Sequence, residues 1–462
     1  MWKKLIRLAL AMGLFALLSG CMAEPGEGFY ALPQLPQDYL SLQNTINDVM
    51  GELGAEYASP SSGYNTQNVQ LQDLDGDGER ESAVAFFRVP SAEKPLKIYI
   101  FRQNQTNGEY EAAWIIEGEG TGIYSVSFEN LGGTGEKEAV ISWQISANAQ
   151  SMTVFSLQRG ASAVEMLRSG YTKASVLDID RDNEKEVLLV QRDATENVST
   201  VELYNYDNGL MVLKSTAPLS MNVTNVQNVK VGTLTDQAPA LFVSSNFGEK
   251  GGRVTDVIAM RDDMLCNLTL QAEAGMSAAT IRYTTDFKDV NGKDINNDGI
   301  FELPLPEYTR NVSISNSGSA VYVLNWFQFA PNGTAEKMMT TFHCYDDGWY
   351  LTAPEEWDGD IVATRRDSVG STAGSERAVS FWRVSESVEG EEPVMEEFMT
   401  IYRLAGSNRT YRASIDDRVV IFETDDIIYA AKFRESEWNS NMDIDRLREL
   451  FNRIKVEWSA EN

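Results

Sequence analysis

The amino-acid sequence predicts a mainly β fold: a β-propeller of about five blades, or seven on a second reading, with a C-terminal α+β module ending in a helix. Three observations carry this. An acidic loop recurs at spacings that suit one four-stranded blade. A short apolar run of strand length follows each copy. Asn-Gly and Asp-Asn-Gly turns then separate further strand-like runs.

Taken in chain order, residues 1–20 read as a lipoprotein signal peptide. Lys3, Lys4 and Arg7 form a basic start, and Leu8–Leu18 is an apolar run. Such a run is too short to cross a hydrocarbon core of about 30 Å permanently, and it suits a cleaved signal. Leu18-Ser-Gly-Cys21 resembles the lipobox of bacterial lipoproteins. The resemblance implies a diacylglyceryl group on Cys21 and a chain held at a cell membrane, facing outside the cytoplasm. Two acyl chains anchor stably, at about 0.8 kcal/mol per buried methylene. Residues 21–37 carry three prolines and two glycines and read as a tether.

Residues 38–355 are expected to hold one helix and then the repeats. The helix spans Asp38–Leu53, where apolar residues recur at helical spacing. LQDLDGDGERESAVAF (71–86) is the first repeat, LDIDRDNEKEVLLV (177–190) a clear copy and KDINNDGIFELPL (293–305) another. NLGGTGEKEAVIS (130–142) and GTLTDQAPALFV (232–243) are degenerate copies. With anchors at Asp73, Asn130, Asp178, Gly232 and Asp294, the spacings are 57, 48, 54 and 62 residues. Strands are expected at Ser82–Phe87, Lys97–Arg102, Tyr110–Ile116, Val187–Val190, Thr200–Tyr206 and Leu210–Ser215, with turns at Asn107-Gly108 and Asp207-Asn-Gly209.

Residues 356–462 read differently. Strands at Asp360–Arg365, Arg377–Val384, Glu397–Leu404, Arg409–Ser414, Arg418–Glu423 and Ile427–Phe433 precede a helix at Met442–Ile454. Strands followed by an amphipathic helix predict a separate α+β module. The alternative is two further blades, with Trp357-Asp-Gly-Asp360 and Ile415-Asp-Asp417 as worn anchors.

Composition narrows the function. The 462 residues predict two or three domains. With 39 basic and 68 acidic residues, the net charge of −29 argues against nucleic acid and against flat docking on anionic lipid. It suits divalent cations. Beyond Cys21, only Cys266 and Cys344 remain, either as a disulfide or as two buried thiols.

The acidic loops carry the chemistry. Asp73, Asp75 and Asp77 alternate, then Gly78 permits a sharp turn, and a carboxylate at position nine, Glu81, closes the set. Calcium takes six to eight hard oxygens at about 2.3–2.6 Å, which such a loop can offer. An EF-hand needs a carboxylate at position twelve. Here those positions are Val84, Leu189 and Leu305. The loops and their spacing resemble the FG-GAP/VCBS repeats of integrin-α-type propellers, and the whole chain resembles VCBS-repeat lipoproteins of Gram-positive anaerobes. The resemblance implies calcium as cofactor. It implies ligands at Asp73, Asp75, Asp77, the Glu79 carbonyl and Glu81. In the second clear loop it implies Asp178, Asp180, Asp182, the Glu184 carbonyl and Glu186. In the third it implies Asp294, Asn296, Asp298, the Ile300 carbonyl and Glu302. The sequence departs from the family in having Glu at position nine, and Asn183 where a loop glycine is usual. Asn130 with Gly132 and Thr134, and Gly232 with Leu234, lack the ligands and predict metal-free turns.

No catalytic set emerges. His343 is the sole histidine, beside Cys344 in a strand, and adjacent strand residues point to opposite faces. The chain has no Gly-x-Ser-x-Gly and no phosphate loop. Trp143, Trp326 and Trp382 suit either sugar stacking or the core. The expectation is a non-enzymatic binding or scaffold lipoprotein for a protein or glycan partner. The alternatives are a carbohydrate-active enzyme on the same propeller and a purely structural envelope protein.

Overall fold

The computed structural model describes residues 37–104, 106, 108–132, 136–248, 252–282, 291–307, 321–357, 361–367, 375–384 and 394–454. Cys21, the signal segment, most of the tether, and Asn107, Thr134 and Asp360 lie outside these. Contacts divide the chain into two compact units, residues 1–120 with 159–162, and residues 121–158 with 163–462.

In the first unit, helix α1 (Gln37–Leu53) buries Leu42 and Ile46 against Ala83, Ala85, Phe87, Tyr99 and Phe101. Those residues belong to the first sheet, made of β1 (Glu56–Tyr57), β2 (Val69–Gln72), β3 (Ser82–Arg88), β4 (Leu96–Gln103) and β5 (Tyr110–Gly118). The apolar run after the first acidic loop becomes β3, paired on both sides. The loop is therefore the connection between β2 and β3.

The second unit repeats the arrangement. The second sheet runs β6 (Gly122–Glu129), β7 (Glu138–Ser146), β8 (Ala149–Ser156) and β9 (Val164–Tyr171) in order. The third runs β10 (Lys173–Leu177), β11 (Glu186–Asp193), β12 (Val198–Asp207) and β13 (Leu210–Pro218). The fourth runs β14 (Val223–Thr233), β15 (Pro239–Phe247), β16 (Gly252–Arg261) and β17 (Met264–Asn267). A small hairpin of β18 (Leu270–Gln271) and β19 (Met276–Ser277) follows, and β20 (Thr280–Arg282) returns to pair with β16. The fifth sheet runs β21 (Leu303–Glu307), β22 (Tyr322–Phe329), β23 (Ala335–Cys344) and β24 (Trp349–Thr352). The sixth is β25 (Ile361–Arg366), β26 (Glu376–Val384), β27 (Met395–Ala405), β28 (Val419–Glu423) and β29 (Ile427–Phe433), with β29 between β27 and β28. Four strands in chain order, joined antiparallel, is the plan of a propeller blade.

The packing explains why the second strand of a sheet is apolar throughout. Along β11, Val187 and Leu189 join Val140, Met152 and Val154 of the second sheet, whereas Leu188 and Val190 join Leu241, Val243 and Val254 of the fourth. Along β15, Ala240 and Phe242 join Leu303 and Phe329 of the fifth sheet. Period-2 alternation thus feeds two cores from one strand. Each buried Val, Leu, Met or Phe side chain among these contributes about 1.5–3 kcal/mol. Loop backbones link neighbouring sheets as well. Lys185 N donates to Asn130 O (2.9 Å) and Phe301 N to Thr233 O (2.8 Å).

The C-terminal third differs from its expectation at two elements. Arg409–Ser414 is not a strand; Arg409–Ala413 forms the short helix α2. Arg412 there reaches the Ser375 carbonyl and, at 3.4 Å, the Glu376 carboxylate, partners more than 30 residues away that a local reading of the sequence does not include. The expected helix Met442–Ile454 is shorter. Helix α3 covers Ile444–Leu450, with the Asp443 side chain accepting from Arg446 N at its start. The chain then extends as β30 (Phe451–Arg453), which pairs with β24 of the fifth sheet. Phe451 stacks on Trp349, a contact no local propensity reveals. Ile415–Asp417 opens no new sheet; Asp416 and Asp417 take left-handed turns before β28. Six sheets of four or five strands therefore form among the described residues.

The fifth and sixth sheets share one core, including Phe342, Trp349, Trp357, Phe381, Phe398, Tyr429 and Leu447. Beside it Asp347, fully buried, meets Arg365 at 3.7 Å, Arg377 at 2.9 Å and Arg403 at 4.0 Å. Cys266 and Cys344 are free thiols. Trp143 and Trp326 are core residues, each donating its indole N–H to a threonine on the next strand, Thr153 and Thr341. Their burial removes them from any sugar-stacking role. Partly buried Trp382 donates likewise to Thr364.

Candidate metal centres

The first acidic loop connects β2 to β3, the second connects β10 to β11, and the third leads into β21. Asp73, Asp75, Asp77 and Glu81 bring one carboxylate oxygen each within 4.8 Å of the others. Asp178, Asp180 and Glu186 do the same, as do Asp294, Asp298 and Glu302. Asp182 stands outside the second group. In the third loop the Asn296 amide donates to Asp298 Oδ2 at 2.8 Å.

One backbone shape recurs. Position four is left-handed in all three loops, at Gly76, Arg181 and Asn297. Position six is left-handed too, at Gly78, Asn183 and Gly299, so Asn183 fills the glycine's place as asparagine can. The position-one carboxylate accepts from the N–H of position six, through Asp73, Asp178 and Asp294. The position-five carboxylate accepts from position seven, where the N–H groups of Glu79, Glu184 and Ile300 each donate at 2.8 Å.

Position nine holds a role the sequence did not show. Glu186 Oε2 accepts from Ile179 N, and Glu302 Oε2 from Ile295 N, both at 2.9 Å. Glu138 Oε2 makes the same bond to Leu131 N, in a loop with no acidic set. The glutamate therefore caps the buried apolar residue at position two, whether or not carboxylates surround it. Its second oxygen remains for other work. Glu81 differs, pairing through Oε1 with Arg102 at 3.0 Å. In the fourth loop the homologous anchor is Thr233 rather than Gly232. Leu234 is the buried position-two residue, its N–H donating to Ala238 O. Gly232 is conspicuous for a different reason: Phe242 and Phe301 leave no room for a Cβ.

Electrostatics reflect crowded carboxylates. Burial pushes the Glu186 carboxyl up to about 7; the Ile179 N–H opposes this, and Asp180, Asp182 and Asp178 add to it. Burial raises Glu302 as well, against hydrogen bonds from Gln328 and Ile295 N. At Asp298 burial acts upward, but donors at Ile300, Asn296 and Gln328 outweigh it and hold the carboxyl low. Two buried oxygens, Glu81 Oε2 and Asp180 Oδ1, have no hydrogen-bond partner among the described residues. An all-oxygen set with unused acceptors fits a hard divalent cation and suits neither thiophilic nor imidazole-seeking metals.

His343 and Cys344 are both buried in β23. Burial, then Lys293, pushes His343 down to about 3, and its ring stacks on Tyr350. The Cys344 thiol, raised by burial, donates to Asp347 Oδ2 at 3.3 Å.

Among solved structures, the chain is similar to the Dos1 propeller, at 8 % identity over 64 % of this chain and 78 % of that one, with a TM-score of 0.26. It is also similar to the β-propeller domain of the Trilobed protease from Pyrococcus furiosus, at 11 % identity over 74 % and 91 %, with a TM-score of 0.24. No family model matches the chain, and no curated protein matches it. Among the described residues no helix is long and apolar enough to cross a membrane.

Proposed function

We propose that this chain is a calcium-stabilised binding or scaffold module of the FG-GAP/VCBS kind, not an enzyme, held outside the cytoplasm by a lipid on Cys21. The observation that carries the reading is the threefold convergence of carboxylate oxygens within 4.8 Å, on loops of one backbone shape. Asp73, Asp75, Asp77 and Glu81 would hold one ion. Asp178, Asp180 and Glu186, with Asp182 beside them, would hold a second. Asp294, Asp298 and Glu302, with Asn296, would hold a third. The ion supplies charge neutralisation: it converts mutual repulsion into cross-linking between the strands that flank the loop. Blade loops presented by rigid sheets suit a protein or glycan partner.

Thermal unfolding of the full chain, in excess calcium and in chelator, tests this. A ligand at 100 times its Kd stabilises by about 2.7 kcal/mol per site. The midpoint should rise with calcium, and rise less in Asp75→Ala and Asp298→Ala. Superimposable curves for all three proteins in both conditions would remove the metal from the reading. For the anchor, Cys21→Ser should release the protein from the membrane fraction.

A further inference from the structure

The two loops with aspartate at position three each have a basic side chain seated on that aspartate. Arg159, between β8 and β9, places Nη2 2.6 Å from Asp75 Oδ2. Lys214, on β13, places Nζ 3.2 Å from Asp180 Oδ2. Neither base belongs to its loop in sequence. The third loop has Asn296 at that position, and its donors are neutral amides. Gln328 Nε2 bonds Asp298 Oδ2 and Glu302 Oε1, both at 2.7 Å, and Asn296 bonds Asp298. The loops thus differ in who neutralises them. Meanwhile Asp180 turns Oδ2 to lysine and keeps Oδ1 buried, without a partner among the described residues.

We propose that Arg159 and Lys214 are tethered counter-cations, which compete with calcium for the first and second loops, a competition the third loop is spared. The inference rests on the calcium reading above. A divalent ion sharing a carboxylate with a guanidinium or ammonium group is repelled by it at a few ångströms. Both basic side chains are well exposed, at 62 % and 42 %, so each can swing into water when the ion arrives. Exposure also limits the effect. An exposed ion pair of this kind is worth about two- to fivefold in an equilibrium constant.

Calorimetric titration of the full chain with calcium chloride tests this, using wild type, Lys214→Gln, Arg159→Gln and the charge-preserving Lys214→Arg. Lys214→Gln should tighten one site about two- to fivefold. Adding Asp178→Asn should abolish that same site, and Lys214→Arg should titrate like wild type. Arg159→Gln should act likewise on the site that Asp77→Asn removes. The site lost in Asp298→Asn should ignore both glutamine variants. Unchanged or weaker binding in Lys214→Gln overturns the proposal and leaves the calcium reading in place. A wild-type chain that takes up no calcium overturns both.

Discussion

Replacing Asp347 with asparagine should cost the second unit about 3 kcal/mol of stability, by stripping the charge from a buried carboxylate that three arginines face. Arg377 and Arg403 face each other directly across β26 and β27. Like charges in that register repel. Asp347 enters from the turn before β24 and lies 2.9 Å and 4.0 Å from the two, with Arg365 at 3.7 Å. Its side chain is 1 % exposed, while Arg377 and Arg403 keep 22 % and 18 %. Removing one partner of a buried pair costs about 3–5 kcal/mol, and the residual exposure of the arginines favours the lower end, about 3. Asparagine keeps the shape and an acceptor for the Cys344 thiol, so the loss isolates charge. Urea is the denaturant of choice because it carries no salt, and Trp349 and Trp357 in the adjoining core report by fluorescence. Asp347→Asn combined with Arg377→Met should recover at least about 1 kcal/mol, since one unpaired cation is gone. A loss below about 1 kcal/mol in the single variant, or no recovery in the double, would refute the charge argument.

Two further perturbations have signs set by the structure. His343 is buried with its pKa pushed down to about 3, whereas the unfolded chain takes the proton near 6.5. Stability is therefore complete above 6.5 and lost as pH falls toward 3, by up to about 1.4 kcal/mol per unit. His343→Phe should flatten that limb in melts between pH 6 and 4; parallel curves would exclude His343 as the cause. Gly232→Ala drives a Cβ to 2.8 Å from both Phe242 and Phe301 and should cost about 1–3 kcal/mol in urea. Gly122→Ala, whose nearest neighbour is 4.0 Å away, is the matched control and should be close to neutral.

What was legible in the sequence was what is local. The β12–β13 hairpin announces itself through Asn208-Gly209, both left-handed in the fold. The alternate aspartates predict a loop whose oxygens converge, because spacing along a tight turn is short-range. The glutamate at position nine was harder. In the second and third acidic loops it coincides with acidic residues, so its capping bond and a ligand role look alike. Only Glu138, which makes the bond without the acidic set, separates the two. Arg159 and Lys214 could not be found by reading, since each meets its loop through the fold, across 84 and 34 residues. The strand–helix confusion at Arg409–Ala413 and the shortened α3 share that cause. Arg412 and Phe451 take partners far away in sequence, and those partners override propensity.

The pairing of β30 with β24 also sets a timetable. Leu351 pairs with Phe451, 100 residues further on, and the whole sixth sheet must be made in between. At about 5–20 residues per second, that gap lasts roughly 5–20 s on the ribosome. Throughout it, the outer backbone of β24 is an open template to which any extended segment can add. The nascent chain is most exposed to mispairing there, and a holding factor that shields a strand edge would serve it best at that moment.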